Sequence, residues 1–261
     1  MSDAYPGGVP AAFPAAFPAA FPSDGPALLL VGHRGHRLAE FGELENTLAA
    51  FDRALDCGCH GLELDIHATA DGHLVVYHDP VLAGLPIAAS RLGALRRRQP
   101  SLPTLQQVLR RYRRRCWLDL EVKAHGCERL LVATLRALPP RCGCVVSSFQ
   151  PEILRDLASI SPGLPLCLNL KRPLPWTRWR DLPLAAVALH VSLARRWYLA
   201  RLRRRGLRIV VWTVNQPRRM GELARAGCDA IISDDPRLLV ETCAPASPTL
   251  PSHARAFRAT Q

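Results

Sequence analysis

From Leu28 to Glu241 short apolar runs alternate with amphipathic stretches, and this alternation constrains the fold more than any other feature of the chain. Eight runs read as strands: 28–32, 61–67, 117–123, 144–149, 165–170, 185–191, 207–214 and 229–233. Between them, 47–57, 105–114, 128–137, 152–160, 195–205 and 217–226 carry apolar residues at helical spacing, and 238–241 lies in a short closing helix. An Asp71-Gly72 turn extends the second strand into a hairpin. The stretch between the fifth and sixth strands is too rich in Pro and Trp for a helix. Strands alternating with helices predict a parallel sheet, and eight repeats at this length predict the α/β class: a single-domain (β/α)8 TIM barrel. An open doubly wound sheet ranks second, because no Gly-x-Gly-x-x-Gly turn follows the first strand.

The barrel is expected over residues 27–243. Before it, Ala-Ala-Phe-Pro occurs three times in succession from Ala11 to Pro22. A proline every fourth residue prevents a helix, so 1–26 reads as a disordered tail, and 244–261 as a second one. The segment lacks the basic start and unbroken apolar stretch of a secretory signal. No apolar run reaches the length of a membrane span. Nine cysteines, an odd number spread through strands and helices, read as free thiols in a reducing compartment, so a cytoplasmic location is expected. The net charge of +12 raises nucleic acid as a partner. However, lysine occurs only at Lys123 and Lys171, and the arginines cluster on helical stretches such as 96–98, 110–115 and 201–205. Solvated outer helix faces explain that pattern, and no nucleic-acid partner is expected.

The polar residues gather at the carboxyl-terminal ends of strands, where barrels of this kind place their active sites. Side chains alternate along a strand, so Glu63 and Asp65 share one face while Leu62, Leu64 and Ile66 take the other. Asp119, Glu121 and Lys123 repeat the pattern against Leu118, Leu120 and Val122. The leucine faces must pack on helices, which turns the carboxylates into the barrel mouth. There they repel one another unless a cation neutralises them, or unless ion pairs such as Glu121 with Lys123 satisfy some of them. His33 ends the first strand and His78 the hairpin, so both reach one rim. One can take a proton from an attacking oxygen while the other donates to a leaving alcohol. Arg34 and Lys123 supply charge for phosphate oxygens. Trp212 stands near the mouth, either as a wall for the substrate's organic part or as core. The remaining histidines read as surface or packing residues.

His33-Arg34-Gly35, Glu45-Asn46-Thr47, Gly61-Leu62-Glu63-Leu64-Asp65, Thr69-x-Asp71-Gly72 and Val75-Val76-Tyr77-His78-Asp79 together resemble the glycerophosphodiester phosphodiesterases. The resemblance continues through Leu102-Pro103-Thr104-Leu105, Leu120-Glu121-Val122-Lys123, Ser147-Ser148-Phe149 and Trp212-Thr213-Val214-Asn215 to Asp229–Asp234, in order over roughly 28–241. It implies a TIM barrel, one divalent cation (Mg2+, Ca2+ or Mn2+), and hydrolysis of glycerophosphodiesters to sn-glycerol 3-phosphate and an alcohol, within lipid and glycerol metabolism. It also implies His33 and His78 as the acid–base pair and Glu63, Asp65 and Glu121 as metal ligands. Arg34 and Lys123 become phosphate contacts, with Glu45 and Asn46 supporting the first loop. Three departures stand out: Leu44 replaces a usual proline, the loop 35–44 is somewhat long, and only 80–101 stands where many relatives insert a larger lid. A related barrel phospholipase of the sphingomyelinase D type is an alternative, as is a non-catalytic anion-binding barrel. The first should be secreted and disulfide-bonded, and the second has no reason to keep both histidines with three carboxylates.

Overall fold

A computed structural model describes residues 19–23, 26–37 and 45–244. Most of the first expected tail, nearly all of the second, and the Leu44 departure lie outside the described residues. In chain order the elements are β1 (Leu29–His33), α1 (Leu48–Asp56), β2 (Gly61–Ala68), β3 (Leu74–Val76), β4 (Val81–Leu82) and β5 (Leu85–Pro86). There follow α2 (Leu92–Arg98), α3 (Leu105–Tyr112), β6 (Trp117–Val122), α4 (Glu128–Ala137), β7 (Cys144–Ser148) and α5 (Pro151–Ile160). The chain continues through β8 (Leu166–Leu170), β9 (Leu184–His190), α6 (Arg196–Arg203), β10 (Arg208–Trp212), α7 (Pro217–Ala226), β11 (Ala230–Ser233) and α8 (Pro236–Cys243).

Parallel pairing runs β1-β11-β10-β9-β8-β7-β6-β2 and returns from β2 to β1, closing an eight-stranded barrel. Strands alternate with helices as the pattern required, except that a single 3-10 turn at Trp176–Arg178 stands between β8 and β9. Helix starts follow local chemistry. Thr104 and Gln107 form a reciprocal capping box on α3, Asp235 caps α8, and prolines open α5 and α7.

Two cores lie on opposite faces of the barrel wall. Leu62, Leu64, Ile66, Leu118, Leu120 and Val122 pack outward under the helices, as the alternation demanded. Inside, Leu29, Val31, Val145, Cys167, Ala188, Val210 and Ile232 fill the lower barrel with Trp117. Gly61 lies beside Trp117 in register, and a Cβ there would stand 2.9 Å from the indole, so the large ring requires glycine next to it.

The tail expectation needs correction at its described end. Phe21 stacks on Trp117 with ring centroids 5.4 Å apart, and the Trp117 indole N–H donates to the Ala20 carbonyl at 2.7 Å. The last Ala-Ala-Phe-Pro repeat thus covers the barrel floor. An apolar ring beside an indole with an unmet donor outweighs the entropy that composition alone suggests.

The short segment 80–101 forms the β4–β5 hairpin, a 3-10 turn and α2. It closes over its own small core of Leu82, Ile87 and Leu95 with Val75 and Leu102. All nine cysteines are free thiols, six of them buried. Among the described residues no helix is long and apolar enough to cross a membrane.

Candidate active site

The site begins with the turn after β1. Arg34 and Gly35 both adopt positive φ, at 55° and 84°. A Cβ on Gly35 would meet the Ala50 carbonyl carbon at 2.6 Å, so only glycine lets the turn press against α1. The left-handed Arg34 aims its backbone N–H at Glu63 Oε2, 3.0 Å away. Its guanidinium donates to Glu45 Oε1 at 2.7 Å and lies 3.3 Å from Asp65 Oδ2. Asn46, also left-handed at φ 58°, donates to Asp65 Oδ2 at 2.8 Å. Glu45 and Asn46 therefore sit behind Arg34 and Asp65 and hold them in place.

Strand register supplies the rest. His33 pairs with Glu63, Glu63 with Asp119, and Asp65 with Glu121 across β1, β2 and β6, which stacks the acidic residues in two adjacent layers. The ligand-type oxygens of Glu63, Asp65 and Glu121 lie within 4.8 Å of one another, and all three residues are buried. Lys123 Nζ bridges Glu121 Oε1 at 2.7 Å and Asp65 Oδ1 at 3.1 Å. Ser147 donates to Asp119 at 2.6 Å, and Asn169 donates to Glu121 Oε2 at 3.2 Å.

Charge does not balance here. Four buried carboxylates face two cations, Arg34 and Lys123, and Arg34 is shared with Glu45. The ion-pair alternative is thus realised for Glu121 and Asp65 and leaves Glu63 with like-charged neighbours. Burial, with Asp65, Glu121 and Asp119 close by, pushes the Glu63 carboxyl well above its ordinary range. Burial pushes Asp119 up to about 7, and burial with Asp65 nearby pushes Glu121 up to about 7. Burial also acts on Asp65, but Lys123 and Arg34 outweigh it and hold that carboxyl below its ordinary value. An excess of buried carboxylates over the cations paired with them, beside three converging oxygens, is what a hard divalent cation relieves. The residues fit such an ion.

His33 Nδ1 lies 2.6 Å from Asp234 Oδ1, which points Nε2 into the mouth, 3.8 Å from Glu63 Oε2. Burial of Asp234 is overcome by His33, Asn215 and Arg37, and its carboxyl is held well below the usual carboxylate range. Asn215 donates to Asp234 Oδ2 at 2.7 Å. His78 is fixed differently: its Nδ1 meets Asp79 Oδ1 at 2.7 Å, and its carbonyl faces His67 Nε2 at 3.1 Å.

A cavity of about 320 Å³ collects these groups. Its walls include His33, Arg34, Glu63, His78, Asp119, Glu121, Lys123 and Trp212, joined by Phe149, Asn169 and Lys171. Trp212 meets Phe149 edge-on at 5.4 Å, and its indole N–H donates to the Ala188 carbonyl at 3.2 Å. The cavity thus has a polar side and an aromatic side. No residue of 80–101 lines it. A larger and more open depression of about 920 Å³ lies between α6 and α7, but it gathers arginines around Trp197 with no histidine.

Every residue singled out from the sequence reaches this mouth or its support: Asp65, Glu45 and Asn46 stand immediately behind the wall. Sequence pattern alone gives no role to Asp234, Asn215 or Asn169, and it leaves His67 among the surface or packing residues. Asn169 carried a usable signal, since it is the one polar residue inside the apolar run Leu166–Leu170.

Comparison with known proteins finds relatives over the barrel. The model of the glycerophosphoryl diester phosphodiesterase family matches residues 33–238. A glycerophosphodiester phosphodiesterase of Caldanaerobacter subterraneus is 28% identical over 81% of this chain and 96% of its own. A crystal structure of a glycerophosphodiester phosphodiesterase from Parabacteroides distasonis superposes with a TM-score of 0.73 at 25% identity, covering 82% of this chain and 96% of that one. A phosphodiesterase of Oleispira antarctica, solved in complex with the product sn-glycerol-3-phosphate, shares the fold with a TM-score of 0.70 at 24% identity over 82% of this chain and 96% of that one. With the match running from the His33 turn to α8, the chain belongs to the glycerophosphoryl diester phosphodiesterase family.

Proposed function

We propose that this chain, a phosphoric diester hydrolase by family, cleaves glycerophosphodiesters to sn-glycerol 3-phosphate and an alcohol by paired-histidine acid–base catalysis. The observation that carries the reading is the meeting of His33 and His78 in one cavity with Arg34, Lys123 and the buried carboxylates. Glu63, Asp65 and Glu121 would hold one divalent cation. Such an ion supplies charge for the phosphate oxygens and lowers the cost of forming an attacking oxyanion.

The chain's own residues do the rest. Arg34 and Lys123 contact the phosphate oxygens, Lys123 from the end of β6 and Arg34 from the turn after β1. Of His33 and His78, one removes a proton from the attacking water while the other gives one to the departing alkoxide. Water oxygen then bonds phosphorus as the phosphorus–alcohol oxygen bond breaks, and the proton taken balances the proton given. Asp234 keeps His33 in the tautomer whose Nε2 faces the cavity. Trp212 and Phe149 form the wall against the glycerol carbons. With 80–101 folded away from the cavity, the alcohol side is open.

Phosphorus NMR on glycerophosphocholine, glycerophosphoethanolamine and glycerophosphoglycerol tests the reading. Conversion to the sn-glycerol 3-phosphate resonance is expected. Absence of a phosphomonoester from all three, with Mg2+, Ca2+ and Mn2+ each supplied, would refute it.

A further inference from the structure

A second group of metal-type ligands lies outside the cavity, among His125, Glu128 and Asp156. His125 is in the loop leaving β6, Glu128 opens α4, and Asp156 is in the middle of α5. His125 Nδ1 stands 3.3 Å from Glu128 Oε1 and 3.6 Å from Asp156 Oδ2. Two ligands of one tetrahedral zinc, each at about 2.0–2.1 Å, are separated by about 3.3 Å, so His125 Nδ1 already stands near ligand spacing from both carboxylate oxygens.

The Glu128 side chain is only 9% exposed, and its Oε2 accepts from the Gly126 N–H at 2.8 Å. Its Oε1 is buried and accepts no hydrogen bond, because His125 lies close to it but outside hydrogen-bonding geometry. A buried carboxylate oxygen without a donor is costly, and this one is aimed at the other two ligands. His125 and Asp156, with side chains 49% and 60% exposed, leave the approach open from solvent.

We propose that His125, Glu128 and Asp156 form a second cation site that takes a transition ion, Zn2+ in the first instance. One imidazole nitrogen with two carboxylate oxygens suits such an ion, whereas the all-oxygen set of Glu63, Asp65 and Glu121 suits Mg2+ or Ca2+. The bound ion ties the loop that begins at Lys123 to α4 and α5, so its effect is on the stability of that corner of the barrel.

Equilibrium dialysis of the full chain against Zn2+ in excess Mg2+ tests the site. The cysteines are common to all variants, so differences between variants report this site alone. His125→Ala and Asp156→Ala should each weaken the tightest Zn2+ step at least about 100-fold, the upper end of what is lost when even an outer-shell partner is removed. Glu63→Gln, which disables the other site, should retain that step. Zn2+ should raise Tm in the parent and in Glu63→Gln but in neither of the first two variants. Should an alanine variant melt early without metal, His125→Asn and Asp156→Asn keep side-chain size and carry the same test. Unchanged Zn2+ affinity in either position's variant, or loss of the step in Glu63→Gln, would overturn the proposal.

Discussion

Replacing Asp234 with asparagine changes one charge and almost no volume, and the structure says what should follow. His33 Nδ1 and Asp234 Oδ1 are 2.6 Å apart, with side chains only 11% and 17% exposed. Asn215 Nδ2 already donates to the other carboxylate oxygen, so the new amide keeps its carbonyl toward Asn215 and turns its NH2 group to His33. The imidazole must then accept at Nδ1 and carry its proton on Nε2, the reverse of the wild-type arrangement. A hydrogen bond to a charged group contributes about 1.5–3 kcal/mol, and each ~1.4 kcal/mol in the barrier is tenfold in rate. Asp234→Asn should therefore lower kcat about 10- to 150-fold. KM should barely move, because Asp234 does not line the cavity. Arg37 also loses an acceptor, but that pair is partly exposed and contributes little. Steady-state kinetics on glycerophosphocholine, with a thermal melt as a check on folding, reads the outcome. A kcat within about threefold of wild type, or a loss confined to KM, would refute the orienting role.

Other outcomes follow from the same geometry. Chelation should abolish turnover, with Mg2+, Mn2+ or Ca2+ restoring it; full activity after exhaustive chelation would favour a purely ion-paired cluster. Glu63→Gln should weaken cation binding in calorimetry yet raise the Tm of the metal-free chain, since it removes the buried carboxyl with the most like-charged surroundings. Glu121 rises from 4.5 to about 7 on folding, so the native state holds more protons than the unfolded one between those values. The contribution of this group to metal-free stability is thus greatest below that window and lost as pH rises through it, while cation affinity climbs over the same range as the proton is displaced. Compared with Glu121→Gln, which lacks this group, the metal-free chain should lose more stability from pH 4.5 to 7, and equal slopes in the two proteins would contradict this sign. His33→Ala and His78→Ala should each cost about 10² or more in kcat, and the double variant should be little worse than the poorer single one. With 80–101 away from the cavity, kcat/KM for choline, ethanolamine and glycerol diesters should agree within about tenfold, and a hundredfold preference would show that other loops select the head group.

The barrel and the inner face of β2 and β6 were legible because strand alternation leaves few choices. Once Leu62, Leu64, Leu118 and Leu120 must reach the helices, Glu63, Asp65, Asp119 and Glu121 have nowhere to point but inward. Spacing along the chain carries no such signal for Asp234, which lies 201 residues from its partner His33 and meets it only because β11 pairs with β1. His67 stands out from other surface or packing histidines only once the β2–β3 hairpin brings the His78 carbonyl back to it. Phe21 was hidden in a repeat whose composition argues against order, and the pocket beside Trp117 exists only after the barrel has closed.

That closure has a consequence for how the enzyme comes into being. The wall is sealed by β1 against β11, the first and last strands of the barrel in chain order, and the histidine on one meets the aspartate just beyond the other. A growing chain can exhibit Arg34, Glu63, Glu121 and His78 long before residue 234 exists, yet its His33 has no anchor and its barrel retains two raw edges. The barrel and its mouth are therefore complete only once β11 has been made, and a product broken off before it is left with open strand edges and a His33 without its carboxylate partner.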